Sequence, residues 1–339
     1  MKETIKQWVF IGGAPRSGTS LLQAIFNQHS LCTSPPESHI KETYVYAATS
    51  TKKNSLRNAE ALKEFLLKDK WIPRLNINPD DILLHFKEGD SAVKLFKLYM
   101  EAYAQREEKS VLVEGAPFNI WFMKKLHEDF QGCYILHIVR DPRDVVMSTL
   151  KANYNSNIDF PLDNVASQFM ESYLQGPNFG KRFYGDRYIK IYYEDLITKP
   201  EQTIRNMCER LHIAFEESML SFQESSAKVA AVEEGWKENL NKPFLKDNFN
   251  KWLTEMSVSD VVRIEYICRE FFEMEKEHYT LSSEGKKAMT GLHKDLIPLH
   301  IKSIKRGVRK LISGSPSAEM LDKLPAHDRL RNAGMLKPD

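Results

Sequence analysis

Eight residues near the amino terminus, Gly13-Ala-Pro-Arg-Ser-Gly-Thr-Ser20, gather one guanidinium, three hydroxyls and two glycines. Arg16 supplies a permanent positive charge, and Ser17, Thr19 and Ser20 supply short hydroxyl donors. Gly13 and Gly18 allow a tight turn in which backbone amides can approach a ligand. These groups suit an anion with several oxygens, such as a phosphate or sulfate ester. A second candidate is Arg140-Asp-Pro-Arg-Asp144, with Ser148 four residues beyond Asp144. Arg140 at a strand end and Ser148 a helical turn further on suit a second phosphate through charge-assisted hydrogen bonds. An Arg140–Asp144 capping salt bridge is the competing use of the same residues. Glu37 lies in Leu31–Lys41, a Ser/Pro-rich stretch, and by itself reads as a solvated loop carboxylate.

Positioning these groups requires strands that end where the charges begin. Val9-Phe10-Ile11 is a short apolar run ahead of the first loop, and Leu21, Leu22, Ile25 and Phe26 follow it at helical spacing. Strand, glycine loop and helix start form a phosphate cradle, because free amides converge there and the helix dipole favours an anion. The loop is not the nucleoside-triphosphate version, G-x-x-x-x-G-K-[ST], since Thr19 stands where that pattern has lysine. An arginine in place of that lysine, and no recognisable cluster of metal ligands, lead us to expect an anionic leaving group handled without a metal.

Further strands are expected at Ser110–Glu114, Tyr134–Val139 and Tyr188–Glu194. Helices are expected over 55–70, 79–88, up to Asp129, from Pro142, and over 200–212, 214–235 and 257–278. The fold class is therefore α/β: a P-loop-like parallel sheet flanked by helices, with a helical insertion at about 40–105 and a C-terminal helical extension. Trp236–Trp252 carries Lys237, Lys242, Lys246 and Lys251 among aromatics and reads either as a solvated loop or as a lid over a nucleotide. Leu296, Ile297, Ile301, Ile304, Val308, Leu311 and Ile312 make an apolar stripe beside a basic face. That pattern fits an anionic membrane surface, or packing on the body or on a second subunit as a homodimer.

The chain has 339 residues with 42% hydrophobic and 28% charged residues, an ordinary globular composition. A net charge of +2 is too mild to argue for nucleic-acid binding, and no nucleic-acid partner is expected. The four cysteines are far apart and read as reduced structural thiols. The apolar run of Met1–Gly13 is too short for a signal peptide or anchor, so a cytoplasmic protein, peripheral at a membrane at most, is the expectation.

The P-R-S-G-T-S loop, V-R-D-P-R-D-V-V-M-S, Y-Y-E-D-L and N-x-x-K-W, in this order, resemble sulfotransferases that use 3′-phosphoadenosine 5′-phosphosulfate (PAPS). The likeness is to the bacterial-type and tyrosylprotein-type branch and covers residues 8–278. It implies that Arg16, Ser17, Gly18, Thr19 and Ser20 hold the 5′-phosphosulfate, and that Arg140 and Ser148 hold the 3′-phosphate. It further implies that Tyr193 lines the nucleotide site, that Lys251 closes on it, and that the product is adenosine 3′,5′-bisphosphate (PAP). Glu37, 21 positions after Arg16, falls where that branch places its catalytic carboxylate. The acceptor is expected to be a hydroxyl, with a glycan, a lipid-linked molecule or a small metabolite favoured and a peptide tyrosine the remaining alternative.

Two departures stand out. Many relatives carry lysine in an E-K-T-P or K-D-P segment, whereas this chain reads Glu114-Gly-Ala-Pro117, with Gly115 in the lysine slot. Lys94 or a lid lysine is the candidate substitute. The family serine ahead of the lid has no counterpart, and Trp236 stands near its place. Two other readings stay open: a P-loop nucleotide or adenylylsulfate kinase, and a catalytically silent bisphosphate-binding scaffold.

Overall fold

The computed structural model describes residues 4–38, 40–41, 44, 63, 66–69, 71–87, 89–153, 161–225, 229 and 239–290. The basic stripe at 296–312, the tail at 313–339, Trp236 and most of the helix expected at 55–70 lie outside them.

Five parallel strands form one sheet in the order β2-β3-β1-β4-β5. They are β1 (Gln7–Gly13), β2 (Cys32–Thr33), β3 (Val111–Gly115), β4 (Tyr134–Val139) and β5 (Tyr188–Tyr192). β1 is central because its Val9-Phe10-Ile11 run can be covered on both faces, and all three residues are fully buried. The chain builds outward from β1 to β2 and β3 on one side and to β4 and β5 on the other. The order therefore reverses beside β1, and loops leaving β1, β3 and β4 share one edge. β5 is an outer strand and shows the alternating burial that an edge produces.

Alternation along β1 divides the core. Phe10 points to the layer containing Phe96, Tyr99 and Leu126, while Val9 and Ile11 point to Leu22, Ile25, Ile204 and Met207. The first layer is covered by α2 (Ala92–Arg106) and α3 (Met123–Asp129). The second is covered by α1 (Thr19–Phe26) and α7 (Pro200–Leu211). A third cluster joins α4 (Pro142–Asn153), α5 (Leu162–Tyr184) and α8 (Val258–Ile267). Between β5 and α7 lies α6 (Tyr193–Thr198).

Three expectations are corrected. Leu31–Lys41 is not all loop, since Cys32 and Thr33 pair with Val111 and Leu112 as an edge strand too short to show a period. The fourth expected strand stops at Tyr192, because Tyr193 opens α6. Residues 214–216 are not helical, and Glu217–Ser225 is a 3₁₀ segment broken at Ser221. Among the described residues no helix is long and apolar enough to cross a membrane, and all four cysteines are buried and free.

One buried ion pair ties Lys41 to β3. Lys41 Nζ lies 3.0 Å from Glu114 Oε2, with both side chains 9% exposed. The ammonium sits over the rings of Phe10, Tyr44 and Phe96. Burial pushes its pKa down, and Glu114 opposes that shift. Glu114→Ala would strand this charge, and we expect a stability loss of about 3–5 kcal/mol. Chemical denaturation checks it; a double replacement Lys41→Met with Glu114→Leu should recover most of the loss.

Candidate active site at the carboxyl edge of the sheet

A cleft of about 750 Å³ opens at the edge where β1, β3 and β4 end. Arg16, Gly18, Thr19, Ser20, Glu37, Arg140, Ser148, Tyr193 and Lys251 all line it. Of the residues expected to hold the donor or act as base, Ser17 alone is set back: it is fully buried beneath the loop, and its Oγ has no hydrogen-bond partner. Lys94 does not reach the cleft and pairs instead with Asp90 at 2.6 Å, so it is no substitute for the missing lysine. Of the described lysines in the expected lid, only Lys251 lines the cleft.

The loop is shaped by two left-handed residues. Arg16 has φ 69°, an uncommon conformation for a side chain with a Cβ, and Gly18 has φ 105°. A Cβ on Gly18 would lie 2.7 Å from the Tyr193 ring, so glycine there admits close contact between loop and tyrosine. The first amides of α1 have no partner within the helix and are available to an anion.

Two guanidiniums converge on this point. Arg16 Nε donates to Ser148 Oγ at 3.2 Å. Arg140 donates to the Arg16 carbonyl at 3.1 Å and the Asn248 carbonyl at 3.0 Å, with its plane 4.3 Å from the centre of the Tyr193 ring. Burial first, and then the Arg140 charge, push the Arg16 pKa down. Two neighbouring cations in a partly desolvated cleft form a site that an anion stabilises. Arg140 Nε is buried without a hydrogen-bond partner, an orphan donor of the kind a phosphate oxygen satisfies.

Asp144 is fully buried and accepts the amides of Asn250 at 2.7 Å and Trp252 at 3.2 Å, so it brackets Lys251. The competing Arg140–Asp144 cap therefore gives way to two separate tasks. Burial raises the Asp144 carboxyl pKa, while Arg140 opposes that shift. Arg143 is structural: it pairs with Asp141 and Glu265 and packs 3.7 Å from the Trp252 ring centre. Asn248 donates to the Tyr193 hydroxyl at 2.7 Å. Sequence reasoning assigned no task to Asn248 or Gln23, which also line the cleft. The N-x-x-K-W stretch was the available signal for Asn248; nothing local marked Gln23.

A glycine loop at a helix start with two converging arginines, at the switch point of a parallel sheet, defines an α/β protein whose cleft is suited to a multiply charged anion. A family model described as "Sulfotransferase family" matches residues 8–217, and this chain belongs to that family. A putative protein-tyrosine sulfotransferase of Caenorhabditis briggsae is 23% identical over 230 residues, covering 66% of this chain and 72% of the relative. The protein-tyrosine sulfotransferase of Drosophila melanogaster is 25% identical over 267 residues, covering 75% of this chain and 48% of the relative. The match thus spans only about half of the fly protein. In fold, the chain is similar to the sulfotransferase domain from the curacin biosynthetic pathway, with TM-score 0.55 and 18% identity over 83% of this chain and 95% of that one.

Proposed function

We propose that the cleft binds PAPS and passes its sulfuryl group to an acceptor hydroxyl, with Glu37 as general base. The observation that carries this reading is the meeting of Arg16, Arg140 and Ser148 with Glu37 in one cleft, from segments more than 100 residues apart in the chain. The donor supplies an activated sulfuryl group on a bisphosphate leaving group. Arg16 and the first amides of α1 hold the 5′ end and stabilise charge that builds on the bridging and sulfuryl oxygens. Arg140 and Ser148 hold the 3′-phosphate. Tyr193, Phe222 and Phe244 form an aromatic wall for the nucleotide, and Lys251 closes at the exposed rim. Glu37 takes the acceptor proton as the hydroxyl attacks sulfur in line. No step in this scheme calls for a metal.

The acceptor we favour is a hydroxyl of a glycan, a lipid-linked molecule or a small metabolite, on the strength of the basic stripe at 296–312. The curated relatives are named for protein tyrosine, so a tyrosine peptide belongs in the same screen.

The decisive experiment is calorimetric titration with adenosine 3′,5′-bisphosphate, 5′-AMP and Mg²⁺-ATP. Metal-free preference for the bisphosphate is the expected result. Preference for Mg²⁺-ATP would overturn the reading in favour of a kinase. Bisphosphate binding with no product from PAPS would leave a silent scaffold. The same titration tests the turn that Asp144 holds. Asp144→Ala should cost about 1.5–3 kcal/mol in stability, the worth of hydrogen bonds to a charged group. It should also weaken bisphosphate binding, by releasing Lys251. A lowered Tm with unchanged Kd would make Asp144 a structural residue only.

A further inference from the structure

The lysine slot at Gly115 is not empty space. Its φ lies outside the left-handed region, so backbone freedom does not explain the glycine. A Cβ built there would lie 2.2 Å from Cγ and 2.3 Å from Cδ of Gln23. Gln23 is 4% exposed and lines the cleft from α1. Its Nε2 donates to Ser34 Oγ at 3.1 Å and to the Pro35 carbonyl at 3.2 Å. Ser34 Oγ in turn donates to the Val113 carbonyl on β3 at 2.6 Å. One helical turn beyond Gln23, on the same face of α1, Asn27 clamps Ser34 with both ends of its amide, at 3.0 and 2.7 Å. The segment two residues ahead of Glu37 is therefore tied to α1 and to the end of β3 by side chains that are themselves buried or half-buried.

We infer that Gln23 is a positioning residue: it occupies the space a side chain at 115 would need, and it holds the Ser34–Pro35 segment so that Glu37 faces the acceptor. The inference rests on the reading of Glu37 as general base. Gly115 is then required by Gln23, and the chain has exchanged a cationic side chain at 115 for a neutral strut from α1. The strut acts on the placement of the base, not on donor affinity.

The test measures PAP released from PAPS, with 4-nitrophenol, a tyrosine peptide and water as probe acceptors, for Gln23→Ala, Gln23→Met, Gly115→Ala and Gln23→Ala with Gly115→Ala. Both Gln23 variants should lose about 10–100-fold in kcat, the scale of a misplacement near 1 Å. PAP binding by calorimetry should stay within about twofold, because the lost interaction serves the chemical step and not donor binding. Gln23→Met keeps the volume but not the donors, so it carries the test if the alanine variant fails to fold. Gly115→Ala should reproduce the loss by displacing Gln23, and the double variant should be no worse than Gln23→Ala alone. Wild-type kcat in Gln23→Ala or Gln23→Met, or losses that multiply in the double variant, would overturn the inference. Glu37→Ala separates the two levels. If that variant is inactive while the Gln23 variants turn over normally, only the present inference fails. If it keeps full turnover, or the wild-type chain yields no PAP with any probe, the base or transfer reading fails and this inference with it.

Discussion

Replacing Glu37 with alanine is expected to reduce turnover by about 10²–10⁴-fold, the usual contribution of a positioned general base, while donor binding stays nearly intact. The expectation follows from where the side chain stands. Glu37 lines the same cleft as the Arg16 loop, yet it belongs to neither of the two anion-binding segments. Its removal therefore leaves the cradle, Arg140 and Ser148 in place. An acceptor hydroxyl is a weak nucleophile until its proton has somewhere to go, and water supplies that service poorly in a closed site. Steady-state kinetics with PAPS, alongside calorimetry with PAP, separates the two quantities. Full turnover in Glu37→Ala would remove this carboxylate from the mechanism. Loss of PAP binding would make it part of the donor site instead.

Arg140→Ala should have the largest effect on binding. Hydrogen bonds to a charged group contribute about 1.5–3 kcal/mol, and each 1.4 kcal/mol is tenfold in affinity. Loss of the 3′-phosphate contact should therefore weaken PAP binding by roughly 10–150-fold. 5′-AMP lacks that phosphate and should lose much less. It will not be untouched, because Arg140 also holds the Arg16 and Asn248 carbonyls and packs on Tyr193. The ratio of the two losses is the informative quantity. Equal losses would mean that Arg140 shapes the cleft but does not read the 3′-phosphate. Ser148→Ala provides a graded companion, since it removes one neutral hydroxyl that now accepts from Arg16.

The two arginines of Arg140-Asp-Pro-Arg143 show why motif residues cannot be assigned by type alone. Arg140 lines the cleft with a buried, unpartnered Nε. Arg143, three residues later, is closed off by Asp141, Glu265 and the Trp252 ring. Arg140 leaves the end of β4 while Arg143 sits in the first turn of α4, so the two side chains meet different neighbours, and only those neighbours decide which charge is available. Asp144 illustrates the same point: its partners are the amides of Asn250 and Trp252, more than 100 residues away.

What the sequence by itself determined is the local architecture and the charge of the groups that the first loop offers. Val9–Ile11, Val111–Glu114, Tyr134–Val139 and Tyr188–Tyr192 are strands because apolar and β-branched runs of that length have few other uses beside glycine loops and amphipathic helices. The Arg16–Ser20 loop is suited to an anion because amides, hydroxyls and a guanidinium are all donors. Tertiary structure alone decided which distant groups share that site. It brought Glu37 and Lys251 to the cleft and kept Lys94 out. It also formed β2, a two-residue strand that exists only because β3 offers it an edge. Gly115 is the plainest case: its meaning lies in the Gln23 side chain pressed against it from α1. Periodicity records what a residue's own segment will do. Contact across 92 positions, from Gln23 to Gly115, depends on how the sheet orders its strands, and no local pattern encodes that.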